Sequence, residues 1–203
     1  QIIANTVAEA PQKNSILILG GGAYTIPRYL AKKYPNSKID VVEIDPQLAD
    51  ISAEYFYYTK PKNVNHIFSD ARTFINTTQN KYDIIIVDVY SDASVPFTIL
   101  TKEYGKGIKK ATSSNGIVLA NIIADDASEK CLPFFRASLI PYADNFRHSS
   151  YVKQTSGVSN IIAMFTNLDN FSLNKNISSS SLENTPRYTD DFSPGEKLQF
   201  NCR

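Results

Sequence analysis

Three carboxylates and a run of glycines stand where this chain could do chemistry. Gly20-Gly21-Gly22 closes a short apolar run and precedes a helical pattern. Glycines there remove side chains where backbone must approach a ligand, and free N–H groups at a helix start favour an anionic group. Glu43 lies 21 residues after Gly22, at the end of the next β-branched run. A carboxylate so placed accepts hydrogen bonds from both ribose hydroxyls of an adenosine-containing ligand. Asp70, in Ser69-Asp70-Ala71-Arg72, could accept from the exocyclic amine of an adenine. It reads equally as the N-cap of a helix. Ile44 and Ala71, beside these acids, complete the set expected to line a nucleoside. Asp88 ends the most apolar run of the chain. An acid there carries a desolvation cost unless it meets a cation, a donor or a ligand. Its chemistry would be that of a general base for an amine, or of an anchor for a cationic acceptor. Tyr90 and Asp92 follow in the next loop as candidate substrate contacts, and as loop residues both also read as simply solvated.

A run of alternating elements must position these groups. Ser15 to Leu19 is a short apolar run ending on glycine, which reads as a buried strand. Ile26, Tyr29, Leu30 and Tyr34 follow at helical spacing, and Pro35-Asn36 stops that helix. Lys38 to Glu43 reads as a second strand, followed by a helix carrying Leu48, Ile51 and Tyr55 on one face. Val64 to Phe68 is a third strand and Ala71 to Thr77 a short helix. The run from Tyr82 to Asp88 is the near-continuous apolar pattern of a central parallel strand covered on both faces. A helix from Lys102 to Ala111 and a strand from Gly116 to Ile123 extend the alternation. This predicts an α/β fold with a doubly wound, mostly parallel sheet of the Rossmann-like kind. In such a sheet ligands bind beyond the carboxyl ends of the strands, where the glycines, Glu43, Asp70 and Asp88 all fall.

A helix from about Ser128 to Ile140 follows. Then Asn145 to Lys153 and Asn160 to Thr166 flank the turn signal Ser156-Gly157, which predicts an antiparallel C-terminal hairpin and seven strands in all. The chain reads as a single domain with its core in 13–166. The Asn- and Ser-rich stretch 167–185 shows no packing pattern and reads as a flexible excursion. The tail 186–203 regains Tyr188, Phe192 and Phe200 and is expected to pack back.

Taken as an ordered set, these motifs resemble the spermidine synthase family. They are Ile16 to Gly22, Val41-Val42-Glu43-Ile44-Asp45-Pro46, Ser69-Asp70-Ala71 and Asp83 to Asp88. Val95-Pro96, Leu100-Thr101-Lys102-Glu103 and Tyr188-Thr189-Asp190-Asp191-Phe192-Ser193-Pro194 extend the likeness. The resemblance implies a class I methyltransferase-type fold that binds decarboxylated S-adenosylmethionine. It implies Glu43 on ribose, Asp70 near adenine, and Asp88 deprotonating the attacking amine. It also shows departures. The family continues its glycine loop with an Asp-Gly pair, where this chain has Ala23-Tyr24, and its fourth-strand aspartates are three apart, where Asp88 and Asp92 are four apart.

Composition narrows the classes. The chain has 203 residues, 42% hydrophobic and 20% charged, enough to bury a core without a structural metal. With 21 basic against 20 acidic residues and no basic stripe, no nucleic-acid partner is expected. The two cysteines, Cys131 and Cys202, are far apart in sequence, and Cys131 in its apolar pattern reads as a buried inert thiol. His66 and His148 form no ligand spacing, so no metal is expected. No apolar run is long enough to span a bilayer and no signal peptide is visible. The expected location is cytoplasmic, as a domain whose parent could carry membrane segments. A homodimer is compatible with this composition.

Three functions fit to different degrees. The first is a transferase using S-adenosylmethionine or its decarboxylated form, moving a methyl or aminopropyl group to a small amine-like acceptor. The second is a non-catalytic nucleoside-binding or regulatory domain. The third, a nicotinamide-dependent dehydrogenase, is supported by Glu43 and opposed by Ala23-Tyr24-Thr25-Ile26-Pro27, which lacks the dinucleotide glycine spacing and in which Pro27 is expected to break the helix start.

Overall fold

The computed structural model describes residues 1–90, 95–124, 129–153, 160–194, 197–198 and 202. In chain order the elements are α1 (Ile2–Glu9), β1 (Ser15–Leu19), α2 (Thr25–Lys33), β2 (Lys38–Glu43), α3 (Gln47–Phe56), β3 (Val64–Phe68), α4 (Ala71–Thr77) and β4 (Tyr82–Val87). A 3₁₀ turn at Phe97–Ile99 leads into α5 (Lys102–Ala111) and β5 (Thr112–Ile123). Then come α6 (Leu132–Ala143), β6 (His148–Lys153), β7 (Asn160–Thr166), β8 (Lys175–Asn176) and α7 (Ser179–Leu182).

The sheet runs β3-β2-β1-β4-β5-β7-β6-β8. The first five strands in that order pair in parallel, and β7 joins β5 antiparallel. This is the α/β architecture expected, with the chain reversing its direction of winding between β1 and β4. An eighth strand, the two-residue β8 against β6, extends the seven expected. The stretch 167–185, which shows no pattern in sequence, contains β8 and α7 and buries Leu182. Its elements, of two and four residues, are too short for a pattern to repeat.

Alternation along the strands divides the core. Leu17, Leu19, Ile85 and Val87 point to the face covered by α5 and α6, with Tyr104, Phe134 and Phe165. Ile16, Ile18, Ile84 and Ile86 point to the other face, with Val7 of α1 and Leu30 of α2. All six residues of β4 are buried, which is why its sequence is apolar without alternation. Each fully buried Ile there is worth roughly 1.5–3 kcal/mol.

Register decides where the strands end. Leu19 lies opposite both Val42 and Val87, so β1, β2 and β4 finish level. The ladder extends one step further, since Gly20 N–H donates to Val42 O at 2.8 Å and Asp88 N–H to Leu19 O at 2.8 Å. Pro27 does not break α2. It is the third residue of that helix, in the first turn, where a backbone N–H has no partner within the helix to lose.

The reading of Cys131 as a free buried thiol is corrected. Cys131 and Cys202 form a disulfide across a separation of 71 residues, with Cα atoms 4.2 Å apart. The tail folds back far enough to bring Cys202 to the N-terminus of α6, where Cys131 is the N-cap. Sequence distance is a poor guide here, because the entropy of closing a loop grows only slowly with its length.

Candidate active site at the carboxyl edge of the sheet

Because β1, β2 and β4 end level, Gly20, Glu43 and Asp88 meet along one edge. Gly20 has φ +95°, and a Cβ there would lie 2.1 Å from the carbonyl oxygen of Asp88. Any side chain at this position would push β1 and β4 apart. Gly21 is required by a different neighbour. A Cβ there would sit 2.9 Å from the ring of Tyr24, which is fully buried and left-handed at φ 53°. Tyr24 stacks on Tyr58 at 4.8 Å and tilts against His66 at 4.6 Å, while Tyr58 Oη and His66 Nε2 are 2.8 Å apart. Burial, then the charge of Glu43, pushes the Tyr24 hydroxyl up to about 12. Gly22, at φ +49°, has open space where its Cβ would point.

Glu43 is buried and organises this loop. Its Oε2 accepts from the N–H groups of Gly21 at 2.8 Å and Gly22 at 3.2 Å, and its Oε1 from Asp45 N–H at 3.1 Å. Two carboxylate oxygens offer about four lone-pair sites, so capacity for a ligand remains after these bonds. Asp70 is the N-cap of α4, accepting from Thr73 N–H at 2.8 Å. Its capping role and a place in the cleft coexist. Gly20, Gly22, Glu43, Ile44, Asp70, Ala71, Asp88 and Tyr90 together line a cavity of about 350 Å³.

Asp88 also lines a second cavity, of about 460 Å³, on its other side. Burial holds its carboxyl above the ordinary aspartate value, and a hydrogen bond from Asn121 Nδ2 at 2.9 Å draws it partly back. Asn121 itself keeps its Oδ1 buried without a partner. Tyr90 donates its hydroxyl to the backbone oxygen of Asn121 at 2.7 Å, so it braces β5 against the loop that follows Asp88. Its hydroxyl is raised by burial and then by the Asp88 charge. Asp92 lies outside the described residues.

The structure thus brings Gly20, Gly21, Gly22, Glu43, Ile44, Asp70, Ala71, Asp88 and Tyr90 to one edge. Sequence reasoning did not find Asn121 or helix α1. Asn121 carries a signal, a lone amide inside the apolar strand Val118-Leu119-Ala120-Asn121-Ile122. It also did not find the tie from the tail, in which Asp190 bonds Arg72 at 2.5 Å and Thr101 Oγ1 at 2.7 Å. Lys102 N–H donates to Tyr188 O at 2.9 Å alongside. These contacts explain why the motif around Thr101 and the motif around Asp190 occur in one chain. Among the described residues no cluster of His, Cys, Asp or Glu could hold a metal, and no helix is long and apolar enough to cross a membrane.

Comparison with known proteins agrees with this geometry. The spermine/spermidine synthase domain family matches residues 1–129, a span that includes Gly20, Gly21, Gly22, Glu43, Asp70 and Asp88. A polyamine aminopropyltransferase of Vibrio vulnificus (strain CMCP6) is 32% identical over 163 residues, 79% of this chain and 53% of its own length. The chain spans about half the length, or less, of the curated relatives it matches. Among solved structures, a probable spermidine synthase from Corynebacterium glutamicum superposes with a TM-score of 0.76 at 26% identity, covering 94% of this chain and 78% of that one. Human methyltransferase-like protein 13, in complex with SAH, superposes with a TM-score of 0.71 at 20% identity, covering 94% and 93% of the two chains, and so shares the fold. With the matched segment carrying the whole carboxyl edge of the sheet, this chain belongs to the spermine/spermidine synthase domain family.

Proposed function

We propose that this domain transfers an aminopropyl group from decarboxylated S-adenosylmethionine to a small amine. The observation that carries the reading is the place of Asp88, a half-buried carboxylate that lines two cavities. On one side Gly20, Gly21, Gly22, Glu43, Ile44, Asp70 and Ala71 would hold the nucleoside. The residues fit this role, because the loop leaves backbone bare at Gly22 and Glu43 retains acceptor capacity. The donor supplies an electrophilic carbon on a sulfonium. On the other side the amine approaches Asp88. Its nitrogen lone pair forms the new N–C bond, the C–S bond breaks with its electrons going to sulfur, and the proton released from nitrogen goes to Asp88. A carboxyl held above its ordinary value is a stronger base than a solvated one, which suits this step. Tyr90 and Asp92 are proposed to flank the acceptor.

Methyl transfer from S-adenosylmethionine would use the same residues, and the two donors differ by one carboxylate. Calorimetric titration with S-adenosylmethionine, its decarboxylated form and methylthioadenosine separates them. Tighter binding of the decarboxylated form and methylthioadenosine supports aminopropyl transfer, and preference for S-adenosylmethionine supports methyl transfer. Binding of none of them overturns the nucleoside reading. We place the reaction in the cytoplasm: thiol blocking in intact cells that labels both Cys131 and Cys202 supports this, and a Cys131–Cys202 disulfide that persists in the cell overturns it, since disulfides persist in oxidising surroundings.

A further inference from the structure

The chain from Arg187 to Ser193 lies across the first residues of α4, of α5 and of the 3₁₀ turn at Phe97–Ile99. Arg187 ties one end of it to the C-terminus of α6, donating from Nε and Nη2 to the two carboxylate oxygens of Asp144 at 3.1 Å each. Tyr188 O accepts from Lys102 N–H at 2.9 Å, and the Ser193 hydroxyl donates to Phe97 O at 3.3 Å. Asp190 makes the central grip. Its Oδ2 pairs with Arg72 Nη2 at 2.5 Å, its Oδ1 accepts from the Thr101 hydroxyl at 2.7 Å, and its N–H donates to Glu103 Oε2 at 3.1 Å. Further along, Cys202 is bonded to Cys131 at the N-cap of α6. This strap is fastened at both ends of one helix, by an ion pair at one and a covalent bond at the other.

What the strap grips stands beside the nucleoside cavity. Arg72 follows Asp70 and Ala71, Phe97 follows Pro96, and Asp70, Ala71 and Pro96 all line that cavity. The Arg72 side chain is 11% exposed, and a guanidinium so buried keeps its place only while a counter-charge meets it, which Asp190 does. The two fastenings are unequal. Arg187 and Asp144 are 38% and 35% exposed, so water and salt compete for their pair. The disulfide resists salt but yields to a small thiol. Cys131 is buried and Cys202 half-buried, so the sulfur open to attack is that of Cys202. A thiolate attacks it, and the S–S bond breaks with its electrons going to the Cys131 sulfur. A second thiolate then removes the first from Cys202 as a small-molecule disulfide. Two electrons pass from the reagent to the protein, and the two protons that the reagent gives up end on Cys131 and Cys202.

We infer that Asp190 is a positioning residue for the nucleoside wall and that the Cys131–Cys202 pair governs its grip. The bonded strap holds the first turn of α4 in place for the nucleoside, and the dithiol form releases it. This rests on the proposed nucleoside site and adds its regulation by a thiol–disulfide couple. In a reducing compartment such a bond forms transiently, as redox-sensing disulfides do.

The test is calorimetric titration of the whole chain with methylthioadenosine before and after dithiothreitol, with a thiol count on each form. Affinity is expected to fall roughly fivefold or more on reduction, and to recover on reoxidation with oxidised glutathione. Cys202→Ser should bind like the reduced protein with or without reductant. Asp190→Ala should bind that weakly too, and should no longer respond to reductant. In turnover the change should fall on KM for decarboxylated S-adenosylmethionine with kcat kept, whereas a general loosening of the fold lowers kcat. Where methylthioadenosine binds, equal affinity in the two forms, or a response that survives in Asp190→Ala, would overturn the inference. Hydrogen exchange at the Thr73 and Phe74 amides, which bond to Asp70, is followed without any ligand and so separates this outcome from failure of the nucleoside reading. Faster exchange on reduction supports the strap even when no nucleoside binds, and unchanged exchange overturns it.

Discussion

Each end of β4 carries an aspartate, Asp83 buried and Asp88 half-buried, and the two are satisfied differently. Asp83, at the amino end, accepts from Asn14 N–H at 2.9 Å, Ser15 N–H at 3.2 Å and the Ser113 hydroxyl at 3.1 Å. Asp88, at the carboxyl end, has from the described residues the single side-chain donor Asn121, and cavities lie on both of its sides. One acid is saturated by its own chain and ties β1, β4 and β5 together. The other is left with capacity to spare beside empty space. A carboxylate at a strand end is therefore not a functional signal by itself; its unmet bonding is.

The contrast can be broken most strongly at Asp88. Asp88→Asn should lower turnover by roughly 10²–10⁴-fold, the range for general acid–base catalysis, while nucleoside affinity holds. Its carboxyl is raised by burial, so as a base it loses its proton-accepting form at a pH above that of an ordinary aspartate. The rate should fall as pH drops through that raised value, and Asp88→Asn should erase this limb of the profile. The same shift fixes the sign for stability. A raised carboxyl stabilises the fold below the unfolded aspartate value of about 4 and loses that contribution as pH rises through the folded value. The Asn variant should hence melt at or above the parent temperature at neutral pH. A large drop in melting temperature would instead make Asp88 structural.

Asp83→Ala should show the opposite behaviour. Removing the acid deprives two backbone N–H groups and a hydroxyl of their acceptor at a part-buried corner, a loss of about 1–3 kcal/mol in chemical denaturation with kcat kept in the folded fraction. Glu43→Ala is intermediate. It removes a charged acceptor from the loop and from the nucleoside, so affinity for methylthioadenosine should weaken by roughly 1.5–3 kcal/mol by calorimetry. Unchanged affinity would confine Glu43 to its bonds with Gly21, Gly22 and Asp45. The smallest effect is expected at Tyr90→Phe, which deletes the bond to Asn121 O and should cost about 1 kcal/mol of stability.

Legibility in the sequence follows the same division. The bounds of β1, β2, β3, α4, α5 and β7 agree with those read from periodicity and breakers. Buried parallel strands leave continuous apolar runs, and the acids that end them are conspicuous for that reason. The side of the cleft proposed for the nucleoside, built from residues directly after β1, β2, β3 and β4, stood out in the sequence with them. The cavity proposed for the acceptor did not. Ile26, Leu30 and Ile162 look like any core residue, and only the packing of α1 and α2 beside β5 and β7 makes them part of one wall. Asn121 was the one readable exception, an amide where the pattern asks for a hydrocarbon. Helix α1 escaped because its inward residues, Val7 chief among them, were too few to stand out from an uneven amphipathic stretch.

Cys131–Cys202 changes what kind of object the C-terminal third of the chain is. The bond closes a covalent ring that threads through α6, the antiparallel strands and the tail. A single backbone cut anywhere inside that ring opens it without releasing a fragment, so nicked protein should migrate as one species until a thiol reagent is added. The closed loop also lowers the entropy of the unfolded chain, by about 4 kcal/mol in free energy for a separation of 71 residues. Tyr188 and Asp190, which lean on α4 and α5 from within the ring, are thereby tethered at close range even when their own bonds open.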